Sequence, residues 1–368
     1  MKVMQLLPEL NSGGVERGTL EIARALVQQG HTSLVVSNGG RLVPELEAEG
    51  STHIQLPIHK KALSSLWKIR PLRKIIEQHQ PDIVHVRSRV PAWLTHFALK
   101  GIPASRRPHL VSTVHGFYSV NRYSAIMTHA EKVIAVSDSV VEYIRQNYPA
   151  CPPQDIVRIY RGIDPKAFPH GYQPTAQWLN QVYNDYPQLE NKFLLCLPGR
   201  ITRLKGHETL IQLMSQLKQQ YPQVHALVVG GADAKKQAYL DELQNSVQQH
   251  GLTEHITFVG HRSDIREWLA LSDVVLSLSN QAETFGRTAL EALSVGTPVI
   301  GWKRGGVAEI LSQVYPQGLI EVDDQVSLLR NIQQHIEHPV TVAPVTQFSL
   351  QDMCQNTLAL YQQLLQRK

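Results

Sequence analysis

Cysteine is scarce in this 368-residue chain, and the three that it has, Cys151, Cys196 and Cys354, stand far apart. Isolated cysteines in odd number predict neither a disulfide framework nor a metal cluster. No apolar run approaches the roughly 18 to 20 residues that a bilayer-spanning helix needs. The first residues pass quickly into polar Asn-Ser-Gly-Gly, which is not typical of a signal peptide. We therefore expect a cytoplasmic globular protein, whose length favours two domains.

Two motifs of nucleotide chemistry are also missing. The turn that contains Gly13 and Gly14 does not read Gly-x-Gly-x-x-Gly, and the second predicted strand ends in Ser37-Asn38 without an acidic residue for an NAD ribose, which disfavours a dehydrogenase. These glycines can serve a tight turn or a close approach to a phosphate. No two aspartates stand at positions i and i+2, which disfavours a magnesium-dependent transferase that uses such a pair. We expect neither a cofactor nor a metal.

Positive charge is concentrated in the first half of the chain. Residues 1–170 hold 21 Lys and Arg against 13 Asp and Glu, and residues 57–107 hold 11 against 2. This excess suits an anionic membrane or an acidic substrate, and without a recognisable nucleic-acid-binding motif we expect no nucleic-acid partner.

One basic segment mixes its cations with apolar residues. This mixture predicts a helix in a membrane interface, and the alternative is a solvated helix that packs its leucines inward. The cations are Lys60, Lys61, Lys68, Arg70, Arg73 and Lys74, and the apolar residues are Leu63, Leu66, Trp67, Ile69 and Leu72.

Short β-branched runs alternate with amphipathic stretches, and this pattern restarts after residue 190. Such a β-α-β-α order predicts an α/β protein with two doubly wound, Rossmann-like domains in series. The predicted divisions are an N-terminal domain at 1–165, a proline-containing linker at 166–190, a C-terminal domain at 191–347 and a helix at 348–368.

The second half carries two charged motifs. Arg200 and Lys205 follow the first predicted strand of that half and precede a helix, where cations can balance a diphosphate without a metal. Further along, Glu283 and Glu291 flank Gly286 at a predicted helix start. The helix N-terminus at Thr284 to Gly286 would offer backbone N–H groups to a phosphate, with Glu291 about two turns inside the helix. A plain surface helix is the alternative interpretation.

Three segments, GGVERGTLEIARAL, GRITRLKG and ETFGRTALEALSVGTPVI, together resemble the family-4 retaining glycosyltransferases of GT-B architecture. The resemblance covers nearly the whole chain and implies two Rossmann-like domains that face each other across a cleft. It implies that the N-terminal domain binds the acceptor, that the C-terminal domain binds the nucleotide-sugar and that the last helix returns to the N-terminal domain. It implies that Arg200 and Lys205 neutralise the donor diphosphate, that Glu283 holds the donor sugar and that Glu291 holds the ribose. Further donor contacts implied by the match are Gly13, Gly14, Gly260, His261, Arg262, Thr284, Phe285 and Gly286.

A narrower resemblance lies in the first half, where VHVRSRVPAW, TVHGFYSVNRYSAIM and RIYRGID are similar to the subset that builds lipopolysaccharide core. His115 matches the family's histidine beside the donor sugar, although a structural role is the alternative. Many members have Asn where this chain has Arg161, and the role of Arg161 is left open. We interpret Arg87, Arg89 and Arg122 as an acidic-acceptor site, with plain surface arginines as the alternative.

The resulting expectation is a metal-independent, retaining hexosyltransferase at the inner face of the cytoplasmic membrane. Its donor would be a UDP-hexose first and GDP-mannose second, and its acceptor an anionic, lipid-linked lipopolysaccharide core. The alternatives are a transferase of capsule or exopolysaccharide, a GT-B-like epimerase or phosphorylase, and a non-catalytic sugar-nucleotide-binding module.

Overall fold

A computed structural model describes residues 1–11, 13–233 and 236–366, and leaves out the side chain of Leu63. The chain divides into two compact units. Unit 1 combines Met1–Gly162 with Leu350–Lys368, and unit 2 is Ile163–Ser349. The predicted last helix therefore belongs to unit 1, although Arg367 and Lys368 at its end lie outside the described residues.

The elements follow the alternation of apolar runs and amphipathic stretches. The strands are β1 (Lys2–Leu6), β2 (Thr32–Ser37), β3 (Thr52–Gln55), β4 (Ile83–Val86), β5 (His109–Val114), β6 (Lys132–Ala135), β7 (Ile156–Arg158), β8 (Phe193–Pro198), β9 (Val224–Val229), β10 (Ile256–Gly260), β11 (Val274–Ser277), β12 (Val299–Trp302) and β13 (Leu319–Ile320). The helices are α1 (Gly14–Gln28), α2 (Val43–Ala48), α3 (Ile69–His79), α4 (Arg89–Lys100), α5 (Arg122–Ala125), α6 (Asp138–Asn147), α7 (Ala176–Asp185), α8 (His207–Leu217), α9 (Gln237–Gln249), α10 (Ile265–Leu271), α11 (Arg287–Val295), α12 (Gly305–Val314), α13 (Gln325–Glu337) and α14 (Leu350–Leu365).

Each unit is built on one parallel sheet. Unit 1 has the strand order β3-β2-β1-β4-β5-β6-β7 and unit 2 the order β10-β9-β8-β11-β12-β13. Central strands such as β4 and β9 are buried along their whole length, because helices cover both faces of a parallel sheet. The predicted fold class of two Rossmann-like domains is confirmed.

The strand order reverses at one place in each sheet, between β1 and β4 in unit 1 and between β8 and β11 in unit 2. Loops at the carboxyl ends of the two central strands diverge there, which opens a crevice where open α/β sheets bind ligands. The register of β1 on β4 pairs Leu6 with Val86, so Arg87 begins the loop beside the turn that leads to Gly13.

The stretch predicted as a linker, 166–190, is part of unit 2 and contains helix α7. Trp178 of α7 donates from Nε1 to Asp264 at 2.8 Å, and its ring meets Trp268 edge to face, with centroids 5.3 Å apart. The prolines at the start of this stretch favour a linker in the sequence, but the residues that follow them form a helix that packs through aromatic contacts.

The basic segment at 60–74 forms a 3-10 helix at Leu63–Lys68 followed by α3. Part of this segment packs inward, as in the alternative interpretation: Leu72 is fully buried in the core, and Arg73 donates from Nε to the Ala98 carbonyl at 3.2 Å. Leu66 and Trp67 remain 50% and 82% exposed. The side chain of Leu63, also part of this prediction, lies outside the described residues.

Candidate functional site

The crevice of unit 2 brings Lys205 and Glu283 together. Lys205 lies in the loop after β8 and Glu283 in the loop after β11, the two strands that border the reversal of strand order. Lys205 Nζ donates to Glu283 Oε1 at 2.6 Å, and Ser279 Oγ donates to the same oxygen at 2.6 Å. A polar cavity of about 20 Å³ lies between these side chains and Thr288. Topology therefore joins residues that are 78 positions apart in the chain.

Glu283 is held as a carboxylate. Burial by itself would raise its pKa, but the charge of Lys205 and the hydrogen bonds from Lys205 and Ser279 outweigh burial and lower the pKa. A carboxylate accepts hydrogen bonds only, so Glu283 is suited to hydroxyl groups of a ligand. Ser279 was not among the predicted site residues, because no sequence spacing marks a serine in a loop.

Two glycines hold the loop that contains Glu283. Gly306 donates its backbone N–H to the Glu283 carbonyl at 2.8 Å, and a Cβ at Gly306 would lie 2.4 Å from Cα of Phe285. Gly305 has φ +60°, and a Cβ there would lie 2.5 Å from the Glu283 carbonyl oxygen. The sequence analysis does not single out this Gly-Gly pair, although its position at the start of helix α12 is a signal that could have found it.

Helix α11 begins at Arg287, not within 284–286, because Gly286 caps it with φ +88°, in the left-handed region. Glu291 is consequently little more than one turn inside the helix, not two. It is almost fully buried and accepts from Arg287 Nε at 2.9 Å. Thr284 is half-buried and Phe285 is buried against Phe348.

The other predicted donor residues of unit 2 are more scattered. Arg200 is exposed in the loop after β8. Gly260 ends β10 with φ +72°, and His261 beside it is exposed. Arg262 makes a two-pronged ion pair with Asp264, with both N–O distances at 3.0 Å. The Arg262 guanidinium is therefore engaged by Asp264 within its own loop.

In unit 1, His115 follows β5 and lies against Arg161. Arg161 Nη2 donates to the Gly14 carbonyl at 2.7 Å and is 3.1 Å from His115 Nδ1. Burial, followed by the charges of Arg161 and Arg87, lowers the pKa of His115 well below its usual value. The imidazole is therefore neutral at physiological pH. Gly13, with φ +139°, caps α1 directly before Gly14.

The structure places Arg87, which is predicted for the acceptor site, in the interior of unit 1. Only 3% of it is exposed, and its Nε donates to Gln5 Oε1 at 2.8 Å. Burial lowers the pKa of this guanidinium. Arg87 lines a small cavity together with His115 and Arg161, and a contact between Arg87 and an acceptor stays a prediction.

A buried polar chain links the last helix to this region. His85 lies 2.6 Å from Tyr361 Oη through Nδ1 and 2.7 Å from Thr113 Oγ1 through Nε2. Burial lowers the pKa of His85 well below its ordinary value. Helix α14 thus supports the strands that carry Arg87 and His115.

Arg89 and Arg122 lie at helix starts on the surface of unit 1. Arg89, half-buried, donates to Ser124 Oγ at 3.1 Å and lies over the ring of Tyr118, 4.6 Å from its centroid. Its charge also approaches Tyr123, which Lys61 contacts at 4.4 Å. Arg122 is exposed at the start of α5. Cations and aromatic rings together form a surface that suits an anionic, hydroxyl-rich ligand.

Among the described residues, no three His, Cys, Asp or Glu side chains cluster closely enough to hold a metal ion. Within residues 1–11, 13–233 and 236–366, no helix has the length and the apolar character needed to cross a membrane.

Two family models match the chain. The first half matches Glycosyltransferase Family 4 over residues 12–167, and the second half matches Glycosyl transferases group 1 over residues 184–347.

Individual proteins show the same relationship. N-acetyl-alpha-D-glucosaminyl L-malate synthase of Bacillus anthracis is 23% identical over 331 residues, 86% of this chain and 82% of that protein. The lipopolysaccharide core biosynthesis mannosyltransferase LpsB of Rhizobium meliloti (strain 1021) is 30% identical over 154 residues, 42% of each chain. A crystal structure of a glycosyltransferase from Rickettsia africae ESF-5 superposes with a TM-score of 0.85 at 28% identity, covering 100% of this chain and 99% of that one.

The two family models together match most of the chain, and the two sheets have the topology that the GT-B architecture requires. The chain therefore belongs to the group 1 glycosyltransferases.

Proposed function

We propose that this glycosyltransferase moves a hexose, with retention, from a nucleoside-diphosphate sugar to an anionic lipid-linked acceptor of the lipopolysaccharide-core type. The observation that carries the proposal is the Lys205–Glu283 pair in the crevice of unit 2, beside the N-terminus of α11. It puts a cation for phosphate, a carboxylate for hydroxyls and a helix N-terminus in one place.

Each donor contact then has a chemical role. Lys205 and the exposed Arg200 stabilise the diphosphate as it departs, together with backbone N–H groups around Gly286. Glu283 accepts from hydroxyls of the sugar, and Glu291 accepts from the ribose in competition with Arg287. Backbone groups of Gly260, His261 and Arg262 contact the base. UDP-hexose remains the first choice of donor and GDP-mannose the second.

The acceptor contacts are assigned to unit 1. Arg89 and Arg122 bind its phosphate or carboxylate groups, and the rings of Tyr118 and Tyr123 offer surfaces for sugar faces. The mannosyltransferase LpsB, 30% identical over 42% of each chain, supports a lipopolysaccharide-core acceptor. A capsule or exopolysaccharide acceptor has no contact of its own to favour it.

A lipid-linked acceptor brings the enzyme to a membrane, and the segment around Trp67 suits that surface. Trp67 and Leu66 are exposed beside Lys60, Lys61, Arg70 and Lys74, which are exposed as well. Aromatic and basic side chains together bind the headgroup region of anionic bilayers. We assign this surface to the cytoplasmic leaflet of the inner membrane.

For the reaction, we propose front-face departure and attack. The acceptor hydroxyl passes its proton to the departing phosphate, so that the glycosidic bond to the diphosphate breaks as the new one forms on the same face. The protein contributes positioning and charge stabilisation. A metal ion is not required in this scheme, because Arg200 and Lys205 balance the diphosphate.

The experiment is nucleotide release from a panel of UDP- and GDP-sugars, with and without an anionic core glycolipid. We expect one donor to be consumed, with acceleration by acceptor and an unchanged anomeric configuration in the product by NMR. Glu283→Gln, which keeps the size of the side chain, should abolish acceleration. A chain that binds a sugar nucleotide but never releases the nucleotide would instead be a non-catalytic binding module.

A further inference from the structure

Arg161 lies where its guanidinium controls the proton on His115. Its Nη2 carries two protons, of which one is donated to the Gly14 carbonyl at 2.7 Å and the other points to His115 Nδ1 at 3.1 Å. A guanidinium has N–H donors and no acceptor, and it stays protonated in proteins. The only favourable partner for it is an Nδ1 that carries a lone pair.

The position of Arg161 is built into helix α1. Gly18 is fully buried on that helix, and a Cβ at Gly18 would lie 1.7 Å from Arg161 Nη1 and 2.8 Å from Cζ. The guanidinium therefore occupies the space that any other side chain at 18 would fill. Arg161 itself is 9% exposed, so its geometry is determined by packing.

We propose that Arg161 is a positioning residue that holds His115 as the neutral tautomer with its proton on Nε2, so that His115 donates a hydrogen bond to the substrate and does not act as a general base. This proposal rests on the proposed function, because it deepens the role of His115 in the same reaction.

The surroundings of the imidazole agree with this assignment. The charged and titratable groups that face it are Arg161, Arg87 and His85, and the Tyr118 hydroxyl meets the His115 backbone N–H, with N and O 3.4 Å apart. Burial and the two guanidinium charges lower the pKa of His115. A proton on Nδ1 would point at the N–H of Arg161, and protonation of both ring nitrogens would add a third positive charge to this cluster.

The direct test is the tautomer in the full-length protein. In protein labelled with ¹⁵N-histidine, His115→Gln identifies the His115 signals by difference among the 17 histidines. We expect an unprotonated Nδ1 and a proton on Nε2 from pH 5.5 to 8, with no titration near the usual histidine pKa of about 6.5. A proton on Nδ1, or titration between pH 6 and 7, would overturn the proposal.

Two variants should remove the contact between Arg161 and His115 that fixes the tautomer, each in a different way. Arg161→Met removes the charge, and Gly18→Ala pushes the guanidinium away without changing either partner. In both, the His115 signals should show mixed tautomers and a raised pKa. The value of kcat should fall in proportion to the fraction of His115 that has its proton on Nδ1, about twofold where the two tautomers are equally populated. Arg145→Met, which removes an exposed arginine on α6, is the matched control and should change neither readout.

The double variant Gly18→Ala/Arg161→Met should be no worse than Arg161→Met alone, because the added methyl then meets no guanidinium. Melting temperatures close to wild type would exclude a general loss of structure. Additive losses, or an unchanged His115 spectrum in Arg161→Met, would contradict the proposal. Because the spectra need no turnover, failure of the proposed reaction would show in the donor panel while the tautomer result stood.

Discussion

The two units use the same sheet geometry to hold different arrangements of charge, a balanced ion pair in unit 2 and two cations in unit 1. In unit 2 the cation Lys205 is already paired with the carboxylate of Glu283. In unit 1 two guanidinium groups, Arg87 and Arg161, surround a neutral histidine and donate to the Gln5 amide and the Gly14 carbonyl. A crevice at a reversal of strand order therefore sets where a ligand binds, and the side chains at the strand ends set what it binds.

The largest expected effect comes from breaking the charge balance in unit 2. Arg200→Ala and Lys205→Ala should each lower kcat about 10²–10³-fold, since each removes a cation that stabilises the departing diphosphate. Arg203→Ala is the matched control in the same loop, because Arg203 pairs with Glu242 and stacks on Tyr239. Steady-state nucleotide release measures all three, and wild-type kinetics in either of the first two variants would refute the assignment.

Lys205→Ala also has a consequence for pH dependence. Lys205 lowers the pKa of Glu283, so its removal raises that pKa toward or above the ordinary carboxyl value of about 4.3. The acid limb of kcat/KM should move to higher pH in this variant, because Glu283 then gains its proton earlier as the pH falls. An acid limb at the wild-type position would mean that the protonation of Glu283 does not control kcat/KM.

The next effect tests the acceptor side of unit 1. Arg89→Gln and Arg122→Gln should raise the KM for a phosphorylated or Kdo-bearing acceptor about tenfold, the typical value of one hydrogen bond to a charged group. The KM for the donor should stay constant. Arg106→Gln, at an exposed arginine elsewhere in unit 1, serves as control. A change confined to the donor KM would show that both arginines contact the donor and not the acceptor.

Arg87 sharpens the contrast between buried and exposed arginines. Arg87→Gln should lower the melting temperature, because it leaves Gln5 without its charged donor inside the core. Thermal unfolding measures this loss, whereas Arg89→Gln should melt near the wild-type temperature. Equal melting temperatures for the two variants would contradict the distinction.

A smaller effect is expected at the membrane. Each Gln substitution at Lys60, Lys61, Arg70 or Lys74 should weaken partitioning to vesicles that contain phosphatidylglycerol about fivefold, since a cation near an anionic surface contributes about 1 kcal/mol. Trp67 emission should shift to the blue on binding, because this indole leaves water. Val326→Ser and Arg330→Gln, on exposed positions of α13, provide controls. Salt-independent binding to neutral vesicles would argue against this surface.

The smallest effect is expected from chelation. EDTA should change turnover less than about twofold, because Arg200 and Lys205 supply the positive charge that a divalent cation gives elsewhere. Loss of turnover in EDTA that Mg²⁺ restores would show that the diphosphate needs a metal.

The alternation of elements and the fold class could be predicted from the sequence, because runs such as Ile83–Val86 are buried, mostly apolar strands that alternate with amphipathic stretches. Lys205 and Glu283 could each be singled out by their motifs, but their ion pair depends on the strand order, which the sequence pattern does not give. The depth of a side chain could not: Arg87 and Arg89 look alike in sequence, but the first lies in the sheet and the second starts a helix. Contacts between distant segments, such as Gly18 with Arg161 or Ser279 with Glu283, have no local spacing that reveals them.

Helix α14 carries a consequence for how the chain is made. It completes unit 1, where Leu358 and Tyr361 pack with Val3 and Ile22, yet ribosomes produce it only after the whole of unit 2. Translation of Ile163–Ser349 takes roughly ten to forty seconds at about 5–20 residues per second. During that interval the nascent first unit has an open apolar face, so we expect chaperones to engage it there, while unit 2 can fold as one continuous segment.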